Sequence, residues 1–362
     1  MNPSILTTIF SRPLRGRATG YGVACVLLAS LALTACSGGG EDGDESGSDA
    51  AEDSLLPAAD GDTTYPLTYD TPYGETTIPE RPERVAVLGG LGELEVVLGL
   101  GVSPVATPWE SADWPWWAEH ADQLADAEVV DPWADALPIE SLAATEPDLI
   151  VALSYAGLED DWDALTTIAP VLAPESEGEL PWQETTEIIG DALDLRTEAD
   201  QLVVDAEAAV TETAAEHPEY EGQTLGLVMN RGEEAGLEFL NTAGSSTEEL
   251  LTQLGFAPHP NAGALAAADG EIALENFQMV EADRLLIARH GGSGTIEDAV
   301  HWLEDSEIYG SLDVVQRDAV GFIDPDESGG LPIAWSLSYP NVLTLPWTVD
   351  QLTEAMAGID PQ

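Results

Sequence analysis

Apolar residues recur at three- and four-residue steps from Thr197 to Glu216: Ala199, Leu202, Val203, Ala206, Ala209, Val210 and Ala214. That spacing puts them on one face of a 3.6-residue helix. Thr197 and Asp200 read as the start of a capping box, with Asp in place of the usual Glu. Pro218 follows the last turn and stops the helix. A helix of this length, rising about 1.5 Å per residue, spans roughly 30 Å, the width of a small domain.

Short apolar runs bounded by Gly, Pro or Asp lie on both sides of this helix. Arg84-Val85-Ala86-Val87-Leu88 reads as a strand that breaks at Gly89-Gly90 before a helix through Glu93 and Leu98. Leu149 to Ala152, Thr224 to Met229 and Leu285 to Ala288 read as buried strands, and Ser246 to Leu254 as a helix closed by Gly255. The alternation predicts an α/β fold: two Rossmann-like lobes, 62–192 and 219–362, joined by a single long helix within 193–218. One large domain with an ordinary crossover helix satisfies the periodicity equally well. A repeated phrase favours two lobes. Glu140 precedes Asp148 by eight residues, Glu275 precedes Asp283 by eight, and each Asp opens a buried strand.

The start of the chain reads differently. Arg12, Arg15 and Arg17 precede an apolar run from Tyr21 to Leu33, too short to span a bilayer as a mature helix. Residues 1–35 are therefore expected to be a targeting segment. Leu33-Thr34-Ala35-Cys36 ends it in the manner of a bacterial lipobox, in which the Cys becomes the lipid-bearing first residue. One or two acyl chains would then tether the protein to the outer face of the cytoplasmic membrane. The only other cysteine, Cys25, lies in the segment expected to be removed, so no internal disulfide pair remains. Residues 36–61, rich in Gly, Ser, Asp, Glu and Ala, read as a disordered acidic tether.

Charge narrows the function. The chain has no Lys, ten Arg and 68 acidic residues, a net charge of −58 with His neutral. Phosphate would be repelled, which excludes nucleic acid as a partner. The charge otherwise reads as a solvated acidic surface, or less directly as attraction for a cationic ligand. Gly90 and Gly92 begin a G-x-G after the first strand, but Glu95 stands at the third glycine position and Glu93 lies beside it, so a dinucleotide is not expected. No His-Glu-x-x-His or Gly-x-Ser-x-Gly motif is present, and the five His are scattered; neither an enzyme nor a protein-ligated metal is expected.

Aromatic residues supply the candidate binding chemistry. Trp109, Trp114, Trp116 and Trp117 crowd a stretch that is neither helical nor alternating. Trp109 and Trp114 are expected to face a cleft, and Trp116 and Trp117 to pack at the start of a helix reaching Leu124. Trp133 stands further on, and Tyr155 heads the loop after the strand ending at Ala152, where open α/β sheets bind ligands.

Together these features resemble the iron–siderophore and cobalamin substrate-binding lipoproteins of ABC importers. The resemblance is carried by Ile78-Pro79-Glu80-Arg81-Pro82-Glu83-Arg84-Val85, by Glu95 to Val102, Glu140 to Ile150 and Trp162 to Pro170. It continues in Leu250 to Phe256, Glu275 to Asp283 and Leu337-Ser338-Tyr339-Pro340. It implies a ligand held between the lobes, and delivery to a membrane permease by one docking glutamate per lobe, at Glu140 and Glu275. It also implies a groove lined by Trp109, Trp114, Trp133 and Tyr155 from the first lobe and by Arg231, Arg289 and Trp335 from the second. The expected ligand is an iron(III)–siderophore complex. It satisfies its own metal, so no further cofactor is implied; haem or cobalamin is the alternative, with His290 or Tyr155 as a haem ligand. A lipid-anchored monomer is expected.

Overall fold

The computed structural model describes residues 54–109, 114–176, 180–289, 296–323 and 331–359. The leader, Cys36, most of the tether and His290 lie outside these residues. A hairpin of β1 (Leu67–Thr71) and β2 (Gly74–Ile78) precedes the first lobe. That lobe holds five parallel strands: β3 (Val85–Val87), β4 (Ala106–Thr107), β5 (Glu128–Val129), β6 (Leu149–Val151) and β7 (Val171–Leu172), in the order β5-β4-β3-β6-β7. The second lobe holds β8 (Leu225–Asn230), β9 (Leu237–Phe239), β10 (Glu271–Ile272), β11 (Arg284–Arg289) and β12 (Val320–Ile323), in the order β10-β9-β8-β11-β12. Its β8, β11 and β12 are parallel, while β9 runs antiparallel to both β8 and β10. Both lobes belong to one compact unit, Ala50–Gln362.

The repeated Glu–Asp phrase has a structural cause. Asp148, ahead of β6, accepts the backbone N–H groups of Glu83 and Arg84, each at 2.8 Å, and so fixes the entry to β3. Asp283, ahead of β11, accepts the Thr224 backbone N–H and hydroxyl, each at 2.8 Å, and fixes the entry to β8. Each carboxylate satisfies strand-end donors that the sheet leaves over. The Thr224 backbone bond holds the Asp283 carboxyl below its ordinary range.

The long helix forms from Arg196 to Glu216. Its face is shared: Ala199 packs into the first lobe's core, Ala206 and Val210 into the second's. The predicted capping box does not form. Asp200 pairs with Arg196 at 2.9 Å, and the Thr197 N–H donates instead to Asp60 at 2.7 Å. A side chain remote in sequence thus satisfies a helix-end donor that the local pattern assigned to Thr197 and Asp200. The same contacts shorten the expected tether. Leu56 is buried, and Gly61, Asp62 and Thr63 donate backbone N–H groups to the Asp194 carboxylate. Residues 54–61 therefore pack on the folded unit instead of extending from it.

Candidate functional site

In parallel sheets, ligand-facing loops follow the carboxyl ends of strands. Trp109 follows β4, Trp133 follows β5, and Tyr155 follows β6. In the second lobe Arg231 follows β8, Arg289 ends β11, and Trp335 stands in the helix Leu331–Ser338 beyond β12. These edges converge. Trp335 lies edge-on to Trp109, with ring centroids 6.2 Å apart, and to Trp114 at 6.0 Å. Trp109 in turn meets Trp133 at 5.1 Å, and Trp335 meets Tyr339 at 4.8 Å. One aromatic cluster therefore crosses from lobe to lobe. Its two outer rings are open to solvent, Trp133 at 49% and Tyr339 at 36%.

The predicted lining residues divide. Trp109, Trp133 and Trp335 join the cluster at its surface. Trp114 does not face open space as expected: it is 6% exposed. It stacks on Trp117, meets the edge of Trp116 and is covered by Trp335, so it backs the cluster from beneath. Trp116 and Trp117 pack as expected, in a 3-10 turn, Pro115–His120. Tyr155 packs against a different cluster, with Leu158 and Leu165, and its hydroxyl donates to Asp161 at 2.5 Å. Burial and this carboxylate raise its pKa, so it remains a phenol. Arg231 is engaged by Glu238. Arg289 pairs with Glu304 at 2.8 Å and stacks over Phe322, its guanidinium 3.8 Å from the ring centre.

Beneath the aromatic cluster lies a carboxylate that the sequence did not single out for this role. Glu95, in the helix Leu91–Gly99, is 2% exposed. One oxygen accepts the indole N–H groups of Trp116 (2.5 Å) and Trp117 (2.9 Å), and the other accepts the Asn341 amide at 2.5 Å. Asn341 precedes the helix Thr344–Met356, and its own oxygen accepts the backbone N–H groups of Leu343 and Thr344. Burial pushes the Glu95 carboxyl up to about 7 against the pull of these three donors. Glu95 thus joins a first-lobe helix to the last segment of the chain, beside Gly99, where Leu202, Val342 and Leu343 close in. The sequence offered one signal: a lone carboxylate inside the apolar run Leu94–Leu98.

Glu93 plays a local part. It is 3% exposed and accepts the backbone N–H groups of Leu153 (3.0 Å) and Ser154 (2.6 Å), tying the β6 exit to the β3 exit. A Cβ at Gly89 would collide with this carboxylate, so a larger residue there would push Glu93 off its two backbone donors. The space that a phosphate takes in a dinucleotide fold is filled by the protein's own carboxyl group, whose pKa burial pushes up to about 7.

The model of the periplasmic binding protein family matches residues 85–327. The chain belongs to the periplasmic binding protein family. Members are extracytoplasmic substrate-binding proteins of ABC importers rather than enzymes. A periplasmic solute binding protein from Mycobacterium smegmatis is 25% identical, with a TM-score of 0.64, over 81% of this chain and 98% of that one. PiaA from Streptococcus pneumoniae, solved in complex with ferrichrome, is 25% identical, with a TM-score of 0.58, over 81% of this chain and all of that one. SirA from Staphylococcus aureus, complexed with staphyloferrin B, shares the fold at 24% identity and a TM-score of 0.61, over 82% of this chain and 100% of that one. No curated protein sequence matches the chain.

Within this family fold, Glu140 and Glu275 occupy corresponding places. Each is exposed, in the first turn of a short helix that leads to the Asp-clamped strand of its lobe.

Proposed function

We propose that this chain is a lipid-anchored receptor that captures a ferric siderophore between its lobes and delivers it to an ABC importer permease. The observation that carries the reading is the contact of Trp335, from the second lobe, with Trp109 and Trp114 of the first, at the edge where both sheets end. A ferric siderophore is a bulky complex with an apolar periphery, and indole faces suit it. The family membership and the ferrichrome-bound PiaA fold support the ligand class. Trp133 and Tyr339 are the exposed flanks of the groove, Trp109 and Trp335 its floor, and Trp114 the support beneath. Glu140 and Glu275 would dock into basic pockets of the permease, one per lobe, reporting both lobes at once. Cys36 would carry the lipid.

The test is a tryptophan-fluorescence titration of the soluble domain with a ferric hydroxamate, a ferric catecholate, haemin and cobalamin, using optically matched controls. Saturable quenching by a ferric siderophore at micromolar or lower concentration is the expected result. Saturation by haemin or cobalamin alone would replace the ligand, and no saturation with any of the four would reject the reading.

A further inference from the structure

This inference rests on the siderophore reading and concerns the charge of the ligand. The seven arginines that follow Cys36 all lie among the described residues. Five are committed away from the carboxyl ends of the strands. Arg81 donates to the carbonyls of Leu193 and Pro57. Arg84 donates to those of Glu146 and Thr145, at the start of β3. Arg284 opens β11, is 2% exposed and lies over Tyr220. Arg317 donates to the Ala282 carbonyl at 3.1 Å, beside the start of β11. Arg196, in the interlobe helix, is tied to Glu187, Asp191 and Asp200.

Only Arg231 and Arg289 stand at the ligand-facing edge of the second sheet. Each already faces a carboxylate of its own lobe, Glu238 and Glu304, and each pair is neutral. The first sheet's corresponding edge contributes tryptophans and the buried carboxylate of Glu93. With no Lys in the chain, no arginine without a carboxylate partner stands at either ligand-facing edge, and the net charge of −58 opposes an anion from a distance.

Ferric complexes differ in charge by the chemistry of their donors. Three hydroxamates cancel the charge of the ferric ion, and a spare ammonium group makes such a complex cationic. Three catecholates leave three negative charges, and hydroxycarboxylate complexes are likewise anionic. Desolvating an anion without a partner is costly. An apolar periphery over indole rings needs no partner, and an ammonium group is attracted to them. We infer that the groove is selective for a ferric tris-hydroxamate, neutral or cationic, and discriminates against ferric tris-catecholates and hydroxycarboxylates.

The experiment titrates the full chain with ferrichrome, ferrioxamine B, ferric enterobactin and ferric citrate, read by tryptophan quenching and by calorimetry. The hydroxamates are expected to bind at micromolar concentration or below, with the tris-catecholate weaker by about 100-fold or more, the scale of losing one buried charge pairing. A second arm uses Glu238→Gln and Glu304→Gln, which release Arg231 and Arg289. The ratio of enterobactin to ferrichrome affinity is expected to rise by about tenfold in the double variant. Equal or tighter binding of either anionic complex by the wild type overturns the inference alone. An unmoved ratio in the double variant also overturns it, because the two ion pairs then do not set the charge of the groove. Failure of all four complexes to bind sinks the siderophore reading itself, and the inference with it.

Discussion

Replacing Glu95 by Gln separates two opposing forces at the lobe junction. Burial disfavours the ionised carboxylate, while three N–H donors favour it. Burial prevails, and the carboxyl titrates near 7 in the folded protein against 4.5 ordinarily. The sign follows from linkage. Between those values the folded state holds a proton that the unfolded chain has released, so stability falls as pH rises. This contribution is fully present below 4.5 and lost as pH passes through 7; a shift of this size corresponds to about 3 kcal/mol. Gln cannot ionise and loses none of it. Near pH 5 the variant should match the wild type to within about 1 kcal/mol, because the protonated acid and the amide each set one donor against donors. By pH 8 the variant should be the more stable by about 3 kcal/mol. Urea unfolding of both proteins from pH 5 to pH 8, at an ionic strength that screens the acidic surface, gives the difference; titrations common to both cancel. A difference that is flat with pH, or that falls as pH rises, would refute the reasoning. It would mean that the indole and amide donors outweigh desolvation.

Three further outcomes are expected. Trp335→Ala removes the ring that joins the lobes' aromatic residues; siderophore affinity should drop about tenfold or more by calorimetry, and unchanged affinity would place the ligand elsewhere. Glu140→Ala and Glu275→Ala alter exposed side chains, so stability should move by no more than about 0.5 kcal/mol and siderophore binding should persist. Stimulation of the reconstituted permease's ATPase should fall in each single variant and further in the double, whereas full stimulation in the double would remove the docking role. Gly190→Ala places a methyl against Ala199 where the helix Trp182–Leu193 meets the interlobe helix; overpacking should cost about 1–3 kcal/mol in thermal unfolding, and an unchanged melting temperature would show that the two helices can part freely.

The parts legible in the sequence are those set by local repetition. The interlobe helix is visible because its apolar period holds from Ala199 to Ala214, about four turns, and its division between two cores agrees with the lobes on either side. The Glu140–Asp148 and Glu275–Asp283 phrases were visible because each Asp does the same work, closing the entry to a neighbouring strand. What escaped was set by contacts between remote residues. Asp60 caps the start of the long helix from across the fold, which no local capping pattern announces. Trp114 and Trp109 look alike in sequence, yet Trp335 covers Trp114 and leaves Trp109 half-buried. Arg231 and Arg289 stand at the predicted strand ends, but their carboxylate partners come from positions that only the folded lobe brings near. Glu95 shows in the sequence only as a lone carboxylate in an apolar run, because its partner Asn341 comes from the end of the chain.

The central claim is that the ligand sits between the lobes, against the shared tryptophans. Crystals of the protein grown with a ferric tris-hydroxamate, with diffraction recorded above and below the iron absorption edge, locate the metal without reference to any assumed pose. The account predicts one strong anomalous peak per molecule in the groove flanked by Trp133, Trp109, Trp335 and Tyr339. A peak on the outer surface of either lobe, or none at saturating ligand, would contradict it.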